Sequence, residues 1–197
     1  DMRSSTWSNF NSNKPMKFKV EPKYTAVKKI EIDSNLNLDT TSWSSGRKYD
    51  LAKATKLGIE IHDLTNIFSF LEIYAETFAR QNLEIQRATL FAIENLYSAI
   101  PIKSKVAKVA VDKNGKILSS GITIVQKNWA FGLFLANGIE SRNTGSSTLL
   151  TKSLMLESYG LGARNYDFVG ANSPNRGDFK LSFGSSLYLY FETYFGE

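Results

Sequence analysis

RNYDFVGANSPNRGDFKLSFGSSLYLYFETYF, residues 164–195, is the stretch around which the rest of the chain can be arranged. It opens as a short apolar strand ending Asp167-Phe168-Val169-Gly170, then breaks into a polar turn with Asn172, Pro174 and Asn175. A compact segment follows, Gly177-Asp178-Phe179-Lys180-Leu181-Ser182-Phe183-Gly184, and a long aromatic strand, Ser186 to Phe195, closes it. Aromatic and β-branched side chains favour strands, while Gly, Pro and Asn favour turns, so this layout follows from local chemistry. Lys180 stands out because it sits between Phe179 and Phe183. A lysine among aromatics either snorkels to water or points its ammonium at something anionic. A solvated lysine on an amphipathic turn is the plain alternative.

Working outward, a helix running to Tyr159 and ending at Gly160 precedes this stretch, and the polar loop Asn137 to Ser147 precedes the helix. Ahead of the loop lie three strand-like runs, Lys105 to Val111, Lys116 to Val125 and Trp129 to Ala136. Asn114-Gly115 and Gln126-Lys127-Asn128 supply their turns. Earlier still, a helix is predicted from Leu83 to Ala99, stopping before Pro101. Another, capped by Thr65, carries Ile67, Leu71, Tyr74 and Phe78 at a spacing that marks a core-facing side. Trp43 to Gly58 reads as a helix with Ser44 or Ser45 as N-cap, followed by a short strand, Ile59 to Ile61. Lys23 to Ile32 alternates well enough for a strand. Residues 1–22 are read as an irregular arm packed through Trp7 and Phe10, and residues 23–197 as one domain. Antiparallel runs joined by helices argue for an α+β or mixed α/β domain.

Composition narrows the chemistry. With 197 residues, 42% hydrophobic and 22% charged, the chain has the length and balance of one globular domain with a sizeable core. No apolar run approaches the ~18 residues of a spanning helix. The chain begins at Asp1 rather than at methionine, which reads as a fragment or a processed product. The absence of cysteine removes disulfides, thiolate nucleophiles and cysteine-ligated zinc. The single histidine, His62, supports neither a Ser-His-Asp triad nor a metal cluster, so no metal is expected. A net charge of +5 attracts anionic partners. The basic helix with Arg47, Lys48, Lys53 and Lys56 is either a solvated face or a contact to phosphate or an RNA backbone. Arg47 and Lys48, nearest its N-terminus, are the candidates for substrate binding.

Three further groups of residues bear on chemistry. The loop Glu140-Ser141-Arg142-Asn143-Thr144-Gly145-Ser146-Ser147 leads from a strand into a helix, and N–H groups there, beside an arginine and a glycine, suit a phosphate. An ordinary capped loop is the alternative. Tyr188, Tyr190 and Tyr194 alternate with Leu187, Leu189 and Phe191, which implies one face in the core and one half-exposed. No general base stands out: Glu72 and Glu76 lie on an amphipathic helix, and Asp167 is the better candidate by position, with turn capping as its other reading.

The order Asp-Phe-x-Gly, polar turn, Phe-Lys-x-x-Phe-Gly, aromatic strand resembles the C-terminal signature of the FemAB-like branch of the GNAT acyltransferase superfamily. Asp1-Met2-Arg3 with Trp7, Lys23-Tyr24-Thr25, and the basic helix from Gly46 to Gly58 fit in order. The resemblance implies a GNAT-like fold, with a mixed, mostly antiparallel central sheet flanked by helices and a cleft between two splayed strands. It implies an N-acyltransferase moving an aminoacyl or acyl group onto an amine. The donor is then aminoacyl-tRNA, with tRNA as a partner, or acyl-CoA, and no cofactor is tightly bound. Lys180 becomes the electrostatic stabiliser of the developing negative charge and Phe179 a surface for the donor. The segment Arg142, Asn143, Thr144, Gly145, Ser146 and Ser147 becomes the donor-phosphate loop, although Ser147 stands where a smaller residue is usual. Family members act on cell-wall precursors and envelope sugars, which implies a cytoplasmic location or the inner face of the membrane. They commonly pair two such domains, which implies a second GNAT-like domain upstream. A non-catalytic basic module that holds nucleic acid or an anionic polymer through the Arg47 helix is the alternative function.

Overall fold

The computed structural model describes residues 18–80 and 82–195. In chain order the elements are β1 (Phe18–Lys29), α1 (Ser45–Lys56), β2 (Glu60–Asp63), α2 (Ile67–Ala79) and α3 (Arg87–Ala99). They continue with β3 (Lys105–Val111), β4 (Ile117–Gln126), β5 (Trp129–Asn137), α4 (Ser146–Gly160), β6 (Asn165–Asp167), α5 (Pro174–Leu181) and β7 (Ser186–Phe195). The strands form one sheet in the order β2-β3-β4-β5-β6-β1-β7. Every neighbouring pair is antiparallel except β5 with β6. This is the mixed, mostly antiparallel sheet with flanking helices that the resemblance implies.

Alternation along β3 shows how the sheet is covered. Val106 and Ala110 point into one cluster, shared with Leu150, Leu154 and Met155 of α4, while Val109 points into another, shared with Phe70 and Ile73 of α2 and Ile93 of α3. Helices therefore lie on both faces, each closing an apolar surface that water would otherwise wet. A fully buried side chain of this size contributes about 1.5–3 kcal/mol.

Several boundaries differ from the expectation. β1 starts at Phe18, so residues 18–22, read as part of the arm, pair with Phe191–Phe195 of β7. The expected contacts of Trp7 and Phe10 lie outside the described residues, as do Asp1, Met2 and Arg3. Asn66 rather than Thr65 caps α2, its side chain accepting from Phe68 N–H at 3.0 Å. The compact segment around Lys180 is a helix, not a turn. Pro174, whose fixed φ suits a helix start, is its first residue. Phe183 is fully buried and Phe179 packs against the same core. Gly184, at φ 70°, ends the run where a Cβ would strike Ser42.

The tyrosine-rich strand also departs from its expected two faces. Leu187, Leu189 and Phe191 are exposed, and so are Tyr188 and Tyr194 on the opposite side. β7 is the sheet edge and pairs with β1, and among the described residues no helix packs substantially on it.

Candidate active site

A cleft opens where β5 and β6 part. The two strands pair in parallel over three residues each, Trp129–Phe131 with Asn165–Asp167, and diverge beyond. In β5 the register against β4 skips Leu133: Ile122 pairs with Phe134 and Thr123 with Gly132. Such a bulge leaves one residue unpaired and bends the strand. Gly132 is required here because a Cβ would collide with the Tyr166 phenol. Tyr166 itself is buried, its hydroxyl 3.0 Å from Thr123 Oγ1, and burial pushes its pKa up to about 12, so it remains a neutral wedge at the fork.

The cleft has a volume of about 700 Å³, within the range of small-molecule sites. One wall is β5 from Gly132 to Leu135 with Tyr74 and Phe78 of α2; the other is Phe168 to Gly170 with Phe179 and Lys180 of α5. The stripe that spacing marked as core-facing thus divides its work. Its first part packs, and its last turn lines the cleft.

Lys180 is held at the centre of the second wall. Its Nζ donates to the carbonyl oxygens of Val169 and Gly170. Both residues have left-handed backbones, φ 50° and 64°, and the turn is fixed by Asp167, whose Oδ1 accepts from Val169 N–H at 2.7 Å and from the Thr25 hydroxyl. An ammonium has three N–H donors, so one remains for a ligand. Burial lowers the Lys180 pKa to about 8, the Arg176 guanidinium pushes the same way, and Asp167 partly offsets both. Asp167 itself does not line the cleft. Its place in the structure is the turn-capping one.

Phe179 lines the cleft and also closes an aromatic group, with Phe183 at 5.1 Å and Phe183 in turn 4.8 Å from Trp43. Arg47 stacks over Phe179 at 5.0 Å. Its guanidinium pairs with Asp50 at 3.0 Å and donates to Thr148 Oγ1 at 2.8 Å, so it braces α1 against α4. Lys48 is exposed, and its Nζ donates to the Thr41 carbonyl at 2.8 Å.

The loop read as a phosphate cradle lies away from this cleft, since none of its residues lines the walls. Arg142 and Asn143 are exposed. Thr144 donates to the Ser141 carbonyl at 2.7 Å, and Ser146 is buried 2.8 Å from Ser119 Oγ. Gly145, at φ 78°, lets α4 begin against the backbone of Asp50, where a Cβ has no room. The Ser147 hydroxyl is buried without a hydrogen-bond partner among the described residues.

Two cleft residues escaped the sequence reading, Arg80 at the end of α2 and Arg176 in the first turn of α5. Arg176 stands four residues before Lys180, one helical turn away. Recognising residues 174–181 as a helix would have put both on one face. His62 is exposed and pairs with Glu60 at 3.1 Å. Among the described residues no cluster of His, Asp or Glu could hold a metal, and no helix is long and apolar enough to cross a membrane.

No protein-family model matches the sequence, and no curated protein sequence matches it. Solved structures do. FemX superposes with a TM-score of 0.74 at 14% identity, over 93% of this chain and 66% of that one. The L-PGS of Bacillus licheniformis gives 0.62 at 10% identity, over 90% of this chain and 61% of that one. A GCN5-related glucosamine N-acetyltransferase region in a fungal multi-domain GH3 β-N-acetylglucosaminidase gives 0.55 at 10% identity, over 99% of this chain and 23% of that one. The chain therefore has the GNAT-like acyltransferase fold, and it spans 66% or less of each of these solved chains.

Proposed function

We propose that the cleft between β5 and β6 is the site of an acyl transfer from an activated donor to an amine, of the FemAB-like aminoacyl kind. The observation that carries this reading is the position of Lys180, an ammonium in a sheltered groove with one N–H to spare. In the reaction the amine nitrogen attacks the donor carbonyl carbon and a C–N bond forms. Negative charge gathers on the carbonyl oxygen, and Lys180 stabilises it. The C–O bond of an ester donor, or the C–S bond of a thioester, then breaks. The leaving oxygen or sulfur takes the proton that the amine gives up, so no dedicated base is required. Phe179 supplies an apolar surface beside the reacting group.

The donor is aminoacyl-tRNA or acyl-CoA. The Phe179–Lys180 pair in the cleft favours aminoacyl-tRNA, because the loop from Arg142 to Ser147 lies outside it. The acceptor is an amine-bearing cell-wall precursor or envelope sugar, handled in the cytoplasm or at the inner face of the membrane, and a second GNAT-like domain upstream would complete its recognition. The alternative, a basic module binding polymer through the Arg47 helix, loses one of its cations, because that guanidinium is engaged with Asp50 and Thr148. A panel of charged tRNAs and acyl-CoAs, scored by mass gain on amines, tests the reading. One donor class should label an amine with the wild type and not with Lys180→Ala. Equal labelling by both proteins would reject the role of Lys180.

A further inference from the structure

Asn172 stands on the same wall of the cleft as Lys180, two residues beyond Gly170. Its side chain is exposed yet held. The Oδ1 atom accepts from the Tyr24 N–H at 2.6 Å, and the Tyr24 carbonyl accepts from the Ala171 N–H at 2.6 Å, so β1 grips this turn from behind. Only oxygen can accept from a peptide N–H, so the amide has one orientation and its NH2 faces away from β1. Among the described residues none of β1 lines the cleft, so this turns the NH2 toward the hollow that Asn172 lines. There it has no hydrogen-bond partner among the described residues, and it lies 4.0 Å from the point that a Cβ on Gly170 would occupy. The Gly170 carbonyl is one of the two that grip Lys180. An ammonium and an amide therefore flank a single residue, both with N–H groups to spare.

We propose that the Asn172 amide is a second donor to the carbonyl oxygen on which negative charge gathers, completing with Lys180 a two-donor oxyanion site. The proposal rests on the cleft being the transfer site, and it adds a catalytic residue. Two of the three ammonium N–H groups are spent on carbonyls, so Lys180 offers one bond to an oxygen that can accept more. As the amine nitrogen attacks, the π electron pair of the C=O bond moves onto oxygen. A donor already aimed by Tyr24 meets that charge without having to reorganise. When the C–O or C–S bond to the leaving group breaks, the pair returns and both contacts weaken. The amide neither gives nor takes a proton, so Asn172 stays neutral throughout. This also gives the segment Lys23-Tyr24-Thr25 a task. The Tyr24 peptide aims the amide, while the Thr25 hydroxyl secures Asp167 at the other end of the turn.

The isosteric change Asn172→Asp tests this, because a carboxylate still accepts from the Tyr24 N–H but has no N–H to offer. With the donor that labels an amine, kcat should fall about 10²-fold while KM stays within about threefold. The melting temperature should stay close to that of the wild type. Asn172→Ala should lower kcat equally, with some loss of stability as Tyr24 loses its acceptor. A second measurement needs no turnover. A carboxylate at position 172 that faces the same point as the ammonium should raise the Lys180 pKa from about 8 to about 9 or higher. NMR of the lysine Cε signals on the full chain reads this, with Lys180→Ala identifying the signal. Asn35→Asp, on the loop after β1 and outside the cleft lining, should leave both measurements at wild-type values. Transfer by Asn172→Asp at the wild-type rate, or an unmoved Lys180 pKa, would overturn the role of Asn172. Labelling by the wild type and not by Lys180→Ala would uphold the transfer reading even then. If no donor labels any amine, the transfer reading falls, and the role of Asn172 falls with it.

Discussion

Lys180 Nζ donates to the carbonyl of Val169, a β-branched residue held at φ 50°. Valine is poorly suited to the left-handed region, which costs about 1–2 kcal/mol for a residue with a Cβ. The strain is retained because Asp167 and Thr25 lock the turn and both carbonyls, of residues 169 and 170, thereby face the ammonium. Val169→Gly should relieve it, with a net gain of about 0.5–1 kcal/mol once the greater freedom of the unfolded glycine is counted. Urea unfolding will show this. A loss of stability would mean that the valine side chain, 40% exposed, packs more than its position suggests.

Removing the ammonium should cost rate rather than fold. Lys180→Ala is expected to lower kcat by about 10²–10³, the size seen when one donor to a developing oxyanion is lost. The melting temperature should shift by only a few degrees.

The pH dependence has a definite sign. Lys180 falls from 10.5 in the unfolded chain to about 8 in the folded one, so between those values the unfolded state binds more protons. Stability contributed by this group therefore rises as pH climbs from about 8 to 10.5, and is lost as pH falls back through about 8. Activity should move the opposite way, declining above about 8 as the ammonium empties. The charged and titratable groups around it are Arg176 and Asp178 on its own helix, Asp167 at the end of β6, and Arg80 and Tyr74 across the cleft.

Gly145 admits no side chain. Its φ of 78° and its approach to the Asp50 backbone should make Gly145→Ala cost about 2–4 kcal/mol by chemical denaturation. A mild effect would show that α1 can slide away from the start of α4.

Arg47 and Lys48 should separate cleanly. Arg47→Ala leaves Asp50 and Thr148 only each other, without the guanidinium, and unstacks Phe179, and about 1–3 kcal/mol of stability should be lost. Lys48→Ala, on an exposed position, should stay within about 0.5 kcal/mol. Equal effects would remove the brace between α1 and α4 as the reason for Arg47.

Much of the fold was legible because its signals are local. The turns at Asn114-Gly115 and Lys127 and the strand-like runs of β3, β4 and β5 are written in adjacent residues, and those strands fall within a residue or two of expectation. Lys180 was legible as an ammonium among aromatics. Its helix was not, because Gly177 and the proline–asparagine turn suggested irregular backbone, while the burial of Phe179 and Phe183 that favours the helix is tertiary. Arg47 illustrates the converse. A basic stripe on a helix carries no mark of which cation will be folded under, and only Asp50 one turn on and Thr148, 101 residues away, decide it. Arg80 and Arg176 line one cleft from two helices, which sequence spacing cannot show.

The hollow between β5 and β6 arises because two neighbouring strands stop bonding after three rungs. It is an omission in the backbone, not an excavation by side chains. Its lining can drift almost entirely while the opening stays in place, because the parting of the strands belongs to the fold, and that fold is shared with FemX at 14% identity. Descent along such a scaffold can exchange one cargo for another by repainting the walls, without rebuilding the room.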